Sequence, residues 1–339
     1  MVNEKVVDVY KCAENTGILL NANELYENVN NNLMSQIKEA MGDVMFNRYP
    51  DTSCKTLRDE YAKLQGIDSH EVLAGNGSDE LIGLLIGIAL GNGKKLFTLV
   101  PDFSMYNYYA SMNEAQVVGL KTKEDGSFQI EDFISEAKKE NPDMIMFSNP
   151  NNPTGSYVES EDIIKILEAF PKIPVIIDEA YGEFAGESMI PYINIYENLY
   201  VTRTLSKAYG LAAARVGFLV SNSKNISFVK EKQVPFTVNS MSQAIGTIVI
   251  KNADKFIPVI ENIRKWRDTL YNKCKSGKDY NIYPSRANFL MVRSKKKIEI
   301  LQAFKQHNIA VRNFKDDTFR ITIGNEEENL KVKGILERF

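Results

Sequence analysis

Between about residues 55 and 220, helical patterns alternate with short apolar runs, and this alternation limits the possible folds more than any other feature. The runs are LFTLV (96–100), AQVVGL (115–120), MIMFS (144–148), PVIID (174–178), LYVTRT (199–204) and VGFLV (216–220). They are rich in β-branched and other apolar residues and show little in–out alternation. Strands buried on both faces of a mostly parallel sheet have this character, and the intervening helices must then cover both faces. The expected architecture is α/β, a three-layer body with helices on either side of the sheet.

After residue 240 the pattern changes. Phe256, Ile260, Ile263, Trp266 and Leu270 recur at helical spacing in a long amphipathic stretch that Gly277 is expected to end. A strand (ANFLMVR, 287–293), a helix (295–308), two close strands (AVRNF and TFRITIG) and a last helix follow. This predicts a smaller α+β domain, joined by the N-terminal segment. The chain's 339 residues exceed one core of average size. Two domains are therefore expected: residues 30–245, and residues 1–29 with 246–339, with the crossover in the helical region near 240–260.

Composition removes several function classes. The net charge of −3 provides no broad basic field for nucleic acid. The longest apolar stretch, LIGLLIGIAL (81–90), is too short to span a bilayer, so no membrane partner is expected. Cys12, Cys54 and Cys274 are far apart, lack metal-ligand spacing, and read as reduced thiols. With no signal peptide read at the N-terminus, a cytoplasmic location is expected. His70 and His307, the two histidines, sit among polar residues and read as surface positions.

Four stretches carry chemistry, and each follows an expected strand, where α/β sheets collect their ligands. In EVLAGNGSDELIGLL (71–85), glycines lead into a helix that Ser78 and Asp79 open. Such a turn can bind an anion, or it can be a plain strand–helix turn capped by Ser78 or Asp79. GNGSDE also resembles a dinucleotide fingerprint, with Asp102 placed as a ribose-binding acid, but Glu80 stands where the third glycine belongs. SNPNNPTG (148–155) builds a rigid loop presenting amide side chains. VIIDEAYGEF (175–184) ends a buried strand in a carboxylate, Asp178, which needs a cationic or proton-donating partner unless it caps a helix. In RTLSKAYGLAAARVGF (203–218), Lys207 lies among small and apolar residues, with Ser206 beside it and Arg215 eight places on. A desolvated lysine loses affinity for its proton, and a neutral amine is a nucleophile.

Taken in order, GNGSDE, PDF, SNPNNPTG, DEAY, SKAYGLAAARVGF and FRITIG resemble the fold-type-I, pyridoxal-phosphate-dependent aminotransferases of classes I and II. The resemblance runs from about residue 18 to 324. LNANE, NRYP and RTLSKAYGLA are most similar to the histidinol-phosphate aminotransferases.

The resemblance implies pyridoxal 5'-phosphate as cofactor and a role for each matched residue. Lys207 joins the cofactor's aldehyde carbon and then carries the substrate Cα proton. Asp178 holds the pyridine nitrogen protonated, Asn152 and Tyr181 bond the ring oxygen, and Phe103 stacks on the ring. The backbone at Gly77 and Ser78, with Ser206 and Arg215, forms the phosphate site, and Asp79 is also a cofactor-binding residue. Tyr49, in NRYP, reaches that phosphate from a neighbouring subunit, which implies a homodimer with composite sites. Arg320, in FRITIG, takes the substrate carboxylate, with Asn23 beside the substrate. Tyr10 and Arg312 are candidates for a substrate phosphate, although Arg312 also reads as a surface strand arginine.

Three departures stand out: NELY (23–26) replaces the usual NENP turn, PDF replaces a tyrosine-bearing loop, and Ala213 and Ala214 replace Gly-Leu. The implied substrates are small amino acids and 2-oxo acids: histidinol phosphate with 2-oxoglutarate. Decarboxylation of threonine phosphate and aromatic transamination remain alternatives, with a dinucleotide-dependent oxidoreductase more distant.

Overall fold

A computed structural model of the protein describes residues 16–275 and 277–339. In chain order it begins with β1 (Ile18–Leu20), α1 (Asn31–Gly42), α2 (Lys55–Gln65), β2 (Val72–Asn76), α3 (Ser78–Ala89) and β3 (Lys95–Val100). Next come α4 (Met105–Met112), β4 (Gln116–Lys121), α5 (Ile130–Glu140), β5 (Met144–Ser148), α6 (Ser160–Ala169), β6 (Val175–Asp178) and α7 (Gly182–Ala185). Then follow β7 (Leu199–Thr204), β8 (Val216–Val220), α8 (Ser223–Lys230), α9 (Ser240–Lys251) and α10 (Ile257–Cys274). The chain closes with β9 (Tyr280–Ile282), β10 (Phe289–Ser294), α11 (Lys297–Gln306), β11 (Ile309–Asn313), β12 (Thr318–Thr322) and α12 (Glu326–Leu336).

Seven strands form the larger sheet in the order β2-β8-β7-β6-β5-β3-β4. The pairs β3–β4, β3–β5, β5–β6 and β6–β7 are parallel, while β8 runs antiparallel to both β7 and β2. All five residues of β5 and all four of β6 are buried, which explains their unbroken apolar character. Burying each large apolar side chain there contributes about 1.5–3 kcal/mol. Edge strand β4 is half-buried along most of its length. Strand order reverses between β3 and β5, and this switch point opens a crevice at their carboxyl ends.

The second sheet has the order β1-β11-β12-β10-β9. Its first strand comes from the N-terminal segment and pairs parallel with β11, Leu19 lying against Ala310. The sequence does not reveal β1 and β9, because three-residue strands are too short to show a period. The amphipathic stretch after residue 250 resolves into a 3₁₀ turn at Ala253–Phe256 followed by α10, which stops at Cys274 rather than at Gly277. Helix α9 packs against α1 and α2, on the large-sheet body.

Both histidines are exposed, and Cys54 and Cys274 are buried and unbridged. Among the described residues, no helix is long and apolar enough to cross a membrane.

Candidate active site

The carboxyl ends of β2, β3, β5, β6 and β7 deliver the expected residues to one crevice. Asp178 ends β6 and is buried. Tyr106 Oη donates to its Oδ2 at 2.9 Å, Thr202 Oγ1 donates to its Oδ1 at 2.9 Å, and the Ala180 amide donates at 3.2 Å. Loss of water raises its pKa to about 6, against the pull of the Tyr106 and Thr202 hydrogen bonds. Asp178 is therefore no helix cap: α7 begins after Tyr181. Thr202 reaches it because the two residues are register partners across β6 and β7.

Lys207 follows β7 by three residues. Its Nζ donates to the Ala22 carbonyl at 2.9 Å and lies 6.0 Å from the centre of the Tyr181 ring. Desolvation, aided by the Arg320 charge, lowers its pKa to about 8. The apolar neighbours seen in the sequence thus act as anticipated, and the amine is far closer to neutrality than a solvated lysine.

Tyr181 Oη accepts from Asn23 Nδ2 at 2.9 Å and from Asn152 Nδ2 at 3.4 Å. Asn152 comes from the Asn- and Pro-rich loop after β5, and its Oδ1 accepts from Arg320 Nη1. Arg320 lies on β12, the second sheet; its Nη2 donates to the Asn21 carbonyl at 3.1 Å and its guanidinium stands 4.9 Å from the Phe289 ring centre. Asn23, with φ of 56°, is held by Thr322 and by an Asn288 side chain that donates to its carbonyl at 3.1 Å. One polar chain therefore links the N-terminal segment, both sheets and the Asn152 loop around the Lys207 amine.

The glycine turn opens α3 with Gly77 as its N-cap and no side-chain cap, so neither Ser78 nor Asp79 caps the helix. The amides of a first helical turn lack intrahelical acceptors and attract anions. Gly77 has φ of 80°, and a Cβ there would stand 2.6 Å from Arg215 Nη2. A Cβ on Gly217 would stand 2.2 Å from the Ser78 nitrogen, so glycine lets β8 press against this turn. Arg215 Nη1 reaches Ser206 Oγ at 3.5 Å and Nη2 reaches Asp79 at 3.3 Å. Glu80 turns back to accept from the Asn76 amide at 2.6 Å, a fixed use for the residue that breaks the dinucleotide pattern.

Phe103 is half-buried after β3 and meets Tyr106 edge-on, with ring centres 5.6 Å apart. Arg312 is half-buried on β11, directly opposite Arg320 in the ladder. Tyr49 is 82% exposed and stacks on Phe236 at 4.6 Å, outside the crevice of its own chain. Tyr10 lies outside the described residues. Sequence reasoning missed Tyr106, three places after Phe103 in PDFSMY, as well as Thr202, Phe289 and the Asn21 and Ala22 carbonyls. Helical spacing from Phe103 could have singled out Tyr106; backbone carbonyls leave no residue signature.

A pyridine ring with a phosphate arm fits this donor set. Asp178 retains one acceptor site, on Oδ2, for a ring N–H, the Tyr181–Asn152 pair can hold a ring oxygen, and the Gly77–Ser78 turn with Ser206 and Arg215 makes an anion cradle. The Lys207 amine lies within the same enclosure. Fold and site thus define a pyridoxal-phosphate enzyme of the α/β type.

Residues 15–333 match the family model for aminotransferase class I and II. The chain belongs to that family and is a pyridoxal-phosphate-dependent transaminase. It is 38% identical over 319 residues to the histidinol-phosphate aminotransferase of Clostridium novyi (strain NT), covering 93% of this chain and 89% of the relative. Its fold superposes with a TM-score of 0.85 on the histidinol-phosphate aminotransferase of Sinorhizobium meliloti in complex with pyridoxal-5'-phosphate, at 22% identity, covering 95% and 90% of the two chains. The Clostridium acetobutylicum histidinol-phosphate aminotransferase also gives a TM-score of 0.85, at 24% identity and coverages of 95% and 98%. The family assignment displaces the dinucleotide reading of GNGSDE.

Proposed function

We propose that the enzyme exchanges an amino group between histidinol phosphate and 2-oxoglutarate, giving imidazole-acetol phosphate and glutamate. The observation carrying this reading is the pair Arg312 and Arg320, two guanidinium-bearing residues at facing positions of one ladder. A substrate pair that presents a carboxylate in one half-reaction and a phosphate in the other calls for two cations. The names of relatives such as the Clostridium novyi enzyme support the same substrate.

When bound, pyridoxal phosphate supplies an electron sink for the charge that develops at the substrate Cα. Lys207 Nζ is the group that takes and returns the Cα proton, a task suited to an amine whose pKa is near 8. Asp178 holds positive charge at the ring-nitrogen position, and Tyr106 and Thr202 orient its carboxylate by hydrogen bonds. Tyr181, aimed by Asn23 and Asn152, supplies the contact to the ring oxygen. Arg320, whose guanidinium meets Asn152 and Asn21, is set to take an α-carboxylate bidentately.

The functional unit in this reading is a homodimer in the cytoplasm, with residues 30–245 as the large domain and 1–29 with 246–339 as the small one. Its support is an apolar exposed group around the NRYP segment: Met45 is 66%, Phe46 76% and Tyr49 82% exposed. A second copy covering that group would bring Tyr49 to the partner's Gly77–Arg215 cradle.

The decisive experiment supplies the purified, cofactor-loaded protein with histidinol phosphate and 2-oxoglutarate and measures glutamate. Glutamate formation is expected. Carbon dioxide release from threonine phosphate, with no amino transfer from histidinol phosphate, would replace this reading with the decarboxylase.

A further inference from the structure

Thr322 ends β12 and is buried, and the chemistry above gives its hydroxyl no part. Two hydrogen bonds join that hydroxyl to the N-terminal segment. The main-chain N–H of Asn23 donates to Thr322 Oγ1 at 3.0 Å, and Thr322 Oγ1 donates to Asn23 Oδ1 at 3.1 Å. The other arm of the same amide, Asn23 Nδ2, donates to Tyr181 Oη at 2.9 Å. Asn152 Nδ2 reaches that phenol oxygen as well, at 3.4 Å, while Asn152 Oδ1 accepts from Arg320 Nη1. A hydroxyl on the second sheet is therefore one side chain away from the phenol that meets the ring oxygen.

We propose that Thr322 is a positioning residue for the cofactor: by fixing which way the Asn23 amide faces, its hydroxyl commits the Tyr181 phenol to donate its hydrogen toward the ring oxygen. The inference rests on the pyridoxal-phosphate reading of the crevice. A side-chain amide can be turned over, exchanging its oxygen and nitrogen, so its direction is decided by what it meets. For Asn152 the guanidinium decides. Arg320 can only donate, so Oδ1 faces it and Nδ2 faces Tyr181. For Asn23 the hydroxyl decides. The main-chain N–H fills one lone pair of Thr322 Oγ1, and the acceptor of the hydroxyl hydrogen among the described residues is Asn23 Oδ1. Turning this amide over would strand that hydrogen in a buried place and set Oδ1 against Tyr181, at the cost of an unpaired buried donor.

The two amides thus donate into one phenol oxygen. With its lone pairs engaged, Tyr181 can meet a further oxygen only by giving its own hydrogen. With the Asn23 amide turned over, Oδ1 would take that hydrogen instead and the ring oxygen would lose it. A phenol that donates to the ring oxygen favours the ionised form of that oxygen, so the proton of the bound chromophore leaves at lower pH. Lys207 Nζ, 6.0 Å from the Tyr181 ring centre, and Arg320, which meets the phenol through Asn152, bring positive charge to the same place. Substitutions at Thr322 leave both cations in position, so a shift that they cause belongs to the hydroxyl.

The test follows the bound chromophore's visible absorption against pH in cofactor-loaded wild type, Thr322→Val and Thr322→Ser. Valine keeps the shape and removes the hydroxyl, so its titration midpoint should rise by about half a pH unit or more, the scale of one net hydrogen bond. Serine restores the hydroxyl and should stay within about 0.2 unit of wild type. In a Tyr181→Phe background, which has no phenol to redirect, adding Thr322→Val should shift the midpoint no further. An unmoved midpoint in Thr322→Val, a serine variant shifted as far as the valine one, or a full valine shift in the Tyr181→Phe background would each overturn the proposal. If Thr322→Val does not fold, Thr322→Ala replaces it with the same expected rise, since a water in the vacated space suits either turn of the amide; an unmoved midpoint there overturns the proposal too. A wild type that binds no pyridoxal phosphate sinks the functional reading and this inference together; a wild type that binds it beside unshifted Thr322 variants sinks the inference only.

Discussion

Arg312 on β11 and Arg320 on β12 are directly opposite each other in an antiparallel pair, so their side chains leave the same face of the second sheet. Arg320 is buried and linked to Asn152, while Arg312 is half-buried one strand further out. Like charges facing across a ladder are unfavourable. Their juxtaposition is understandable if anionic ligands are to be held there. Arg320→Lys should lower kcat/KM for glutamate by roughly 30-fold or more, because an ammonium cannot copy a bidentate clamp and each 1.4 kcal/mol is about tenfold. Arg312→Ala should impair histidinol phosphate and spare glutamate. Steady-state kinetics on both substrates checks the pair: equal losses for both in the Arg312 variant would mean a folding defect, and no loss for either would remove Arg312 from the site.

Tyr49 tests whether the site is composite. Its ring stacks on Phe236 of its own chain and is otherwise open. A Tyr49→Ala chain and a Lys207→Ala chain, each inactive or weak alone, should recover part of the activity when mixed. The recovered site would combine an intact lysine with an intact partner tyrosine. Full activity in a species that sediments as a monomer would contradict the composite site.

Lys207 gives a pH prediction whose sign follows from its surroundings. Its amine is protonated below about pH 8 and neutral above, instead of remaining charged up to the ordinary 10.5. Capture of pyridoxal phosphate by the cofactor-free protein should therefore accelerate as pH rises toward 8 and level off beyond it. The Arg320 charge is the second cause of the depression, so Arg320→Met should move the break to higher pH. Stopped-flow absorbance at a series of pH values reads both. A break near 10.5 in wild type would refute the desolvated amine, and one that moves to lower pH in Arg320→Met would refute the part assigned to the Arg320 charge.

Much of this site was legible because its chemistry needs side chains that are rare in such company. A lysine among Ala, Leu and Gly, a carboxylate ending VIID, and a loop of asparagines and prolines each stand out locally. The parallel strands were legible for a similar reason, since burial on both faces leaves unbroken apolar runs. What the sequence hid is non-local. The Ala22 carbonyl that accepts the Lys207 hydrogen bond lies 185 residues from it in the chain. Asp102 could be placed after a strand, yet its inward turn depends on Ser148, brought near by the β3–β5 pairing. The facing of Arg312 and Arg320 depends on ladder register, which periodicity in either strand alone does not determine.

Asp178 sets function against stability, and the conflict can be measured. Its folded pKa, about 6, is above the ordinary 3.8, so the native state binds this proton more tightly than the unfolded state does. For such a group stability falls as pH rises from the unfolded value through the folded one, and the loss is complete above about 6. Asparagine is neutral throughout and keeps an acceptor for Tyr106. Cofactor-free Asp178→Asn should therefore gain stability relative to wild type by about 2 kcal/mol between pH 4.5 and pH 7.5, each pKa unit being ~1.4 kcal/mol. The same change should weaken retention of pyridoxal phosphate and sharply reduce turnover, because the ring-nitrogen position loses its anion. Urea unfolding at the two pH values, beside cofactor titration, makes the comparison. A stability difference that does not change with pH would show that Asp178 is not held in a charge-disfavouring pocket, and retained turnover would take it out of the mechanism.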